Sequence, residues 1–327
     1  MFRNQLLSIV LVGCTLAFGV VTTPGAAADL AYLPVKAPPA DPVAAPLDIH
    51  GWFDTTFLNS FISPRGLVLH DTGIASQVDM GLAIDLYKSK SGLINDFTIY
   101  GGKWEDYWSQ LNNPMNGSWY ESDWYAGAKT RFLQNWTLDV TVGQLRSPVA
   151  AYKQDTYVQP AISYDDSWMW GKGGFVAFNP YVKLFYQASG ASTTVLGDNG
   201  KTYDVEIGMV PTFDLKRAGF GLPITLKVPT WITVGPASFW NGTASSVVPS
   251  VVPGPLPASS NAGVFTTGLS SVMPLQGIPA NYGKWYVKSG VQWYHLINQG
   301  LVLAEQVLTT HTNRDPVVFS TGFGFSF

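Results

Sequence analysis

The residues of this chain that are able to do chemistry are mostly carboxylates at even spacing. Asp79 and Asp85, Glu121 and Asp123, and Asp204 and Glu206 fall in such pairs, with Asp54 and Asp96 in similar settings. Lys129 and Arg131 repeat the spacing with the opposite sign. Side chains two apart on a β-strand share a face, so each group marks one charged wall. If that wall lines a conducting lumen, its excess of acid favours cations or neutral solutes over anions. If the charges instead pair across strands, they fill a narrow interior.

A second set of residues falls on the same alternating positions. Trp52, Tyr87, Tyr100, Trp231 and Tyr294 are rings that such a wall would turn inward. Inward rings either pack the interior or stack on flat or sugar-like solutes and hold cations by their faces.

Catalysis finds little support. Of His50, His70, His295 and His311, only His50 falls on the charged wall. A lipid-cleaving barrel would need His and Ser together near its outer rim, with an acid or amide orienting the imidazole. No spacing suggests that, and no enzymatic role is expected. With no paired histidines and no cysteine after the leader, no metal site is expected either. Gly171, Gly173 and Gly174 lack the strand-to-helix setting of a phosphate cradle. No cofactor follows from the sequence, and with a net charge of −3 and no basic run, neither does a nucleic-acid partner.

The elements that must position these residues are strands. In 77–87, Val78, Met80, Leu82, Ile84 and Leu86 oppose Asp79, Gly81, Ala83, Asp85 and Tyr87. The same alternation runs through 203–215, where Val210 breaks it, and through 317–327. Charged residues make up only 13 % of the chain and aromatics 14 %, yet beyond the N-terminus no run approaches the roughly 18 apolar residues of a spanning helix. Long alternating segments, Trp and Tyr near their ends, and connections alternating between short and long predict an all-β fold. It is a transmembrane antiparallel barrel of about twelve strands over 48–327, with both termini in the periplasm.

The expected strand centres are Phe53, Leu82, Phe97, Ala128, Val140, Lys172, Leu184, Ile207, Val228, Leu269, Val291 and Phe323. Short turns are expected near 90–92, 133–135, 179–180, 217–222 and 276–282. Long loops are expected near 63–76, 109–117, 152–160, 191–200, 241–261 and 298–316. Pro211, Pro229 and Pro274 each remove a ladder donor and predict bulges or strand ends.

The N-terminus reads as a targeting signal. Arg3, the apolar run 6–21 and Ala26-Ala27-Ala28 predict a signal peptide, 1–28, cleaved after Ala28. Leu11-Val12-Gly13-Cys14 offers the competing reading of a lipoprotein box. Pro34, Pro38, Pro39, Pro42 and Pro46 make 29–47 an extended periplasmic arm rather than a strand.

Both ends of the chain carry a resemblance. Residues 319–327 alternate aromatics and close on Phe323, Phe325 and Phe327, which resembles the C-terminal strand of outer-membrane barrels. Residues 29–39, Asp-Leu-Ala-Tyr-Leu-Pro-Val-Lys-Ala-Pro-Pro, look like the mature start of many alphaproteobacterial outer-membrane proteins. The resemblance implies a Gram-negative outer membrane, contact with its lipid, and a last strand read by the barrel-assembly machinery. A porin-like channel for small neutral or cationic solutes is the first functional expectation. The alternatives are a closed structural or surface-binding barrel and, behind it, a lipid-modifying one. Oligomeric state is left open.

Overall fold

The computed structural model describes residues 48–110, 117–152, 154–170, 175–190, 201–240, 260–309 and 311–327. The expected leader with Cys14, the arm 29–47, Lys172, the glycines 171, 173 and 174, the loop 191–200 and most of 241–261 lie outside the described residues.

Twelve antiparallel strands close into one barrel. They are β1 (Asp48–Leu58), β2 (Ala75–Lys88), β3 (Ile94–Trp108), β4 (Trp119–Phe132), β5 (Trp136–Leu145) and β6 (Asp155–Tyr164). The second half comprises β7 (Val176–Ala177, then Pro180–Ser189), β8 (Thr202–Met209, then Thr212–Asp214) and β9 (Thr225–Lys227, then Thr230–Val234). It ends with β10 (Ala262–Pro274), β11 (Lys284–Leu296) and β12 (Val317–Ser326). Each strand pairs with the next, and β12 returns to β1 through Phe53↔Phe325 and Thr55↔Phe323. Closure removes the two open edges that an apolar surrounding could not satisfy.

Alternation sets the two faces. Leu82, Ile99, Val142, Ile207, Leu269 and Phe323 stand exposed on the outside, opposite the inward Asp54, Asp79, Asp204 and Lys288. No described helix is long and apolar enough to cross a membrane, which says nothing against strands doing so.

Inside, a repeated joint sets the spacing of the wall. Trp52, Tyr125, Tyr100, Tyr157, Tyr181 and Tyr286 each stand directly opposite a glycine on the next strand, respectively Gly81, Gly102, Gly127, Gly143, Gly208 and Gly324. The rings occupy the space a Cβ would need, with Tyr125 Oη 2.5 Å from such a position at Gly102. A ring laid over a strand glycine covers exposed backbone and pins register.

β8 and β9 break at Val210-Pro211 and Val228-Pro229, and β10 ends at Pro274, as a missing donor requires. The neighbouring β7 is also broken, at Phe178-Asn179, where the sequence reading expects a turn. There Asn179 takes a positive φ of 50°, and Asp166 Oδ1 accepts the amides of Phe178 and Asn179 at 2.7 and 3.0 Å. Burial pushes the Asp166 carboxyl up, but these amides and the Trp170 indole outweigh it and hold the group below its ordinary range.

The sixth strand requires a correction. The sequence reading centres it on Lys172, whereas β6 is Asp155–Tyr164, whose first part falls in what was expected to be a loop, 152–160. Pro160 is the reason. It reads as a breaker, yet it faces outward where the ladder to β7 is interrupted, between Lys183↔Ala161 and Tyr186↔Val158.

Short turns gather at one end of the barrel and long loops at the other. The first long loop, between β1 and β2, folds back as a small hairpin, Phe61–Ile62 against Val68–His70. Its tip crosses the mouth. Trp231 Nε1 on β9 donates to Pro64 O at 3.1 Å, and Gly66 lies against Val264 and Leu301. Two helices, α1 (Ala237–Trp240) and α2 (Gln299–Thr309), complete the cover. Ile62, Val68, Phe239, Trp240, Val264 and Leu301 form its buried core.

Candidate functional site

The barrel interior holds a cavity toward each end, each about 390 Å³. The turn-end cavity is lined by Trp52, Asp85, Asp96, Tyr100, Lys129 and Asp139, among others. Asp85 is held by Lys88 Nζ at 2.7 Å, by His50 Nε2 at 2.6 Å and by the Thr98 hydroxyl at 2.5 Å. Asp96 pairs with Arg131 Nε at 2.9 Å. Tyr100 donates to Asp139 at 2.5 Å. Lys129 forms no ion pair among the described residues.

Between the cavities, Asp54 takes the Lys288 ammonium and the Tyr286 hydroxyl. Asp79 accepts from Trp52 Nε1 at 3.2 Å and Tyr125 Oη at 2.5 Å, and no ion pair reaches it among the described residues. Glu206 pairs with Lys183 at 2.7 Å and accepts from Tyr181 at 2.6 Å. Asp204 is bound by Arg65 of the mouth hairpin, Nε to Oδ1 3.1 Å. Asp54, Asp85, Asp96, Asp204 and Glu206 are thus tied to bases from other segments or, at Lys88, from the same strand.

The loop-end cavity lies under the hairpin. Phe61, Arg65, Trp104, Glu121, Asp123, Tyr152 and Tyr294 are part of its lining. Glu121 and Asp123 project from β4, are 8 % and 7 % exposed, and form no ion pair among the described residues. Asp123 accepts the Arg146 amide at 3.2 Å, and the Glu121 and Asp123 carboxyls hydrogen-bond to each other. Trp231 stands beside this cavity, edge-on to Tyr294 at 6.4 Å.

Tyr87 is not in the lumen. A bulge between Asp85 and Tyr87 shifts the phase of β2, so Tyr87 pairs with outward Phe97 and is 48 % exposed. Lys88 takes the inward place that strict alternation gives to Tyr87. Phe323, Phe325 and Phe327 lie on the outer face along the closing seam, where Phe325 stacks on Trp285 at 4.6 Å and on Phe53 at 5.8 Å.

Sequence reasoning misses Arg65, Lys88 and Trp104. Arg65 had a signal, as a base between Pro64 and Gly66 in a loop whose flanks are apolar. It also misses the grouping of Asp48, His50 and Asp85, whose ligand atoms lie within 4.8 Å of one another. Lys88 already bridges Asp48 and Asp85 at 2.5 and 2.7 Å, so a side-chain cation stands where an ion would.

Two titratable groups belong to the mouth cover. Burial holds His70 below its ordinary range, although the Gln110 carbonyl and Asp71 pull it up. Burial pushes Glu305 on α2 up, against the Asn313 amide.

No family model matches the chain, and no curated protein matches it. Among solved structures it is similar to an outer membrane channel from Pseudomonas putida F1, at TM-score 0.42 and 10 % identity over 89 % of this chain and 100 % of that one. The beta domain of the Bordetella autotransporter BrkA gives 0.37 and 10 %, over 86 % and 100 %. OprB of Pseudomonas putida gives 0.37 and 8 %, over 86 % and 94 %. Likenesses this distant assign neither cargo nor activity.

Proposed function

We propose that this chain is a bacterial outer-membrane barrel working as a narrow, porin-like channel for small neutral or cationic solutes. The observation that carries the reading is the polar, cavity-bearing interior enclosed by an apolar outer wall. Lipid accepts such an outside and excludes such an inside. What narrows the lumen is side chains and one short hairpin, elements that move without unfolding the sheet. Charge selectivity falls to the acids without a bonded base. Asp79, Glu121 and Asp123 leave a net negative field, whereas Asp54 and Glu206 are neutralised by Lys288 and Lys183. On the same reading the last strand, through Phe323, Phe325 and Phe327, is what the assembly machinery engages. No catalytic role is assigned.

A planar-bilayer recording of the purified protein is the test. Discrete steps whose reversal potential favours cations support the channel. That preference should shrink in Glu121→Gln and Asp123→Asn and survive in Glu206→Gln. Silence from repeated folded preparations, both wild-type and Arg65→Ala, would sink it. The covered mouth favours one second reading, a closed barrel that presents its loops to partners outside the cell, and that reading requires the same silence.

A further inference from the structure

The geometry points to an organic cation as the occupant of the loop-end chamber: an ammonium carried on a flat, apolar body. The inference rests on the channel reading and names the class of solute that the chamber selects.

Charge comes first. Glu121 and Asp123 are more than nine-tenths buried, line the chamber and have no ion-pair partner among the described residues. The basic side chain in the same lining, Arg65, is committed elsewhere, to Asp204 at 3.1 Å and to the face of Phe185 at 3.4 Å. The two carboxyls hydrogen-bond to each other and have no bonded base, so the charge of the pair is costly to bury, and a cation brought beside them relieves that cost. An anion meets repulsion there, and a neutral solute supplies no counter-charge.

The walls then decide what kind of cation. Phe61 and Trp104 stand 5.8 Å apart, centre to centre. Tyr120 meets Tyr152 edge-on at 5.9 Å. Leucines at 58, 67, 69 and 145 complete much of the remaining surface. Ring faces attract ammonium groups, and the apolar surface rewards a body that covers it. A volume of about 390 Å³ lies within the range of small-molecule sites. A hydrated inorganic ion would use the acids and waste the walls.

The test is binding to the full barrel in detergent, by calorimetry and tryptophan quenching, with phenethylamine as the probe. The uncharged 2-phenylethanol, the anionic phenylacetate and sodium chloride are the comparisons. Saturable amine binding is expected, about tenfold or more tighter than the alcohol, with none for phenylacetate. Glu121→Gln and Asp123→Asn, each with heat-shifted gel mobility retained as proof of folding, should each lose about tenfold or more. Equal binding of alcohol and amine by the wild-type protein would overturn the inference without any variant. So would amine binding undiminished in both folded variants, or full displacement by sodium at equal concentration. Conductance is recorded on the same preparation. Steps without amine binding would remove this inference and leave the channel standing. Amine binding without steps would sink the channel and keep the chamber.

Discussion

Arg65 and Asp204 meet across the mouth of the barrel, Nε to Oδ1 at 3.1 Å, although 139 residues separate them along the chain. Arg65 rides on the hairpin that follows β1, and Asp204 stands on β8, far round the wall. Their bond is therefore a tie across the lumen rather than a rung between neighbours. At 15 % and 2 % side-chain exposure, both partners have left most of their water, so losing either one leaves an uncompensated charge.

Arg65→Ala should release the hairpin and enlarge the pathway. Breaking a buried pair costs about 3 kcal/mol, comparable with what docks so small an element. Larger single-channel steps are expected, together with protease cleavage between residues 63 and 67. Asp204→Asn, which keeps an acceptor for the guanidinium, should give a milder form of both effects. Unchanged step size in Arg65→Ala would mean that the hairpin does not lie on the conducting path.

Acid should loosen the same hairpin through His70. In the docked hairpin its Nε2–H donates to Gln110 O at 2.8 Å, its Nδ1 has no partner, and its ring lies 4.5 Å from Trp108. Burial lowers its proton affinity from an ordinary pKa of 6.5. The undocked hairpin thus binds a proton first as pH falls below that value, and the docked state loses stability. Glu305 has the opposite sign, because a raised carboxyl favours the docked state at low pH and withdraws that support as pH rises through its shifted value. The Asp71–His311 contact at 2.5 Å also ties the end of the hairpin to the segment after α2. Openings in a bilayer should become more frequent from pH 7.5 to 5.5, and His70→Gln should flatten that response. A response that survives intact in His70→Gln would take the pH dependence away from His70.

The ring-over-glycine joints should hold the barrel together more than their hydrogen bonds do. At Gly102 a side chain would collide with the Tyr125 ring and with the Met80 carbonyl at 2.7 Å. Gly102→Val should therefore eject Tyr125, release Asp79 and cost about 1–3 kcal/mol. Tyr125→Phe keeps the ring and loses one hydrogen bond, about 1 kcal/mol. Urea unfolding from lipid vesicles, followed by tryptophan fluorescence, reads the difference. Equal midpoints for Gly102→Val and the wild type would show that the ring needs no seat.

How much of this is legible in the sequence depends on how local its cause is. Period two in β2, β8 and β12 comes from one face being apolar and the other polar, which any stretch of ten residues displays. Strand number and closure need more than that period: segment length, rings near segment ends and the alternation of short and long connections. Where a local rule is broken, legibility fails. Pro160 inside β6 hides a strand, and one extra residue near Leu86 exchanges the faces of Tyr87 and Lys88. The pairing of the lumen charges is not local at all. Asp54 meets Lys288 and Tyr286 over 234 and 232 positions, so the sequence shows an acidic wall but not which acids are already neutralised. That distinction decides the candidate site, because it leaves Glu121 and Asp123 facing a chamber whose Arg65 is already bonded to Asp204.

The closing seam permits the sharpest test of the fold. Gly51 and Phe327 exchange backbone hydrogen bonds at 3.0 and 3.1 Å, and the Phe327 ring occupies the space where a Cβ on Gly51 would stand. The same ring neighbours Phe325 at 6.4 Å, which in turn stacks on Trp285. Gly51→Val must displace the ring, removing the last rung of β1–β12 and one end of the aromatic row. Phe327→Ala removes the ring and leaves the rung. Both should lower the temperature at which the folded, fast-migrating form converts to the unfolded one on a gel, with Gly51→Val lower still. Amide exchange near residues 51 and 327 should quicken while the β3–β4 ladder stays protected. If Gly51→Val matched the wild type in both measurements, the barrel would be closing without its terminal ring, and the seat at Gly51 would have no part in holding the first and last strands together.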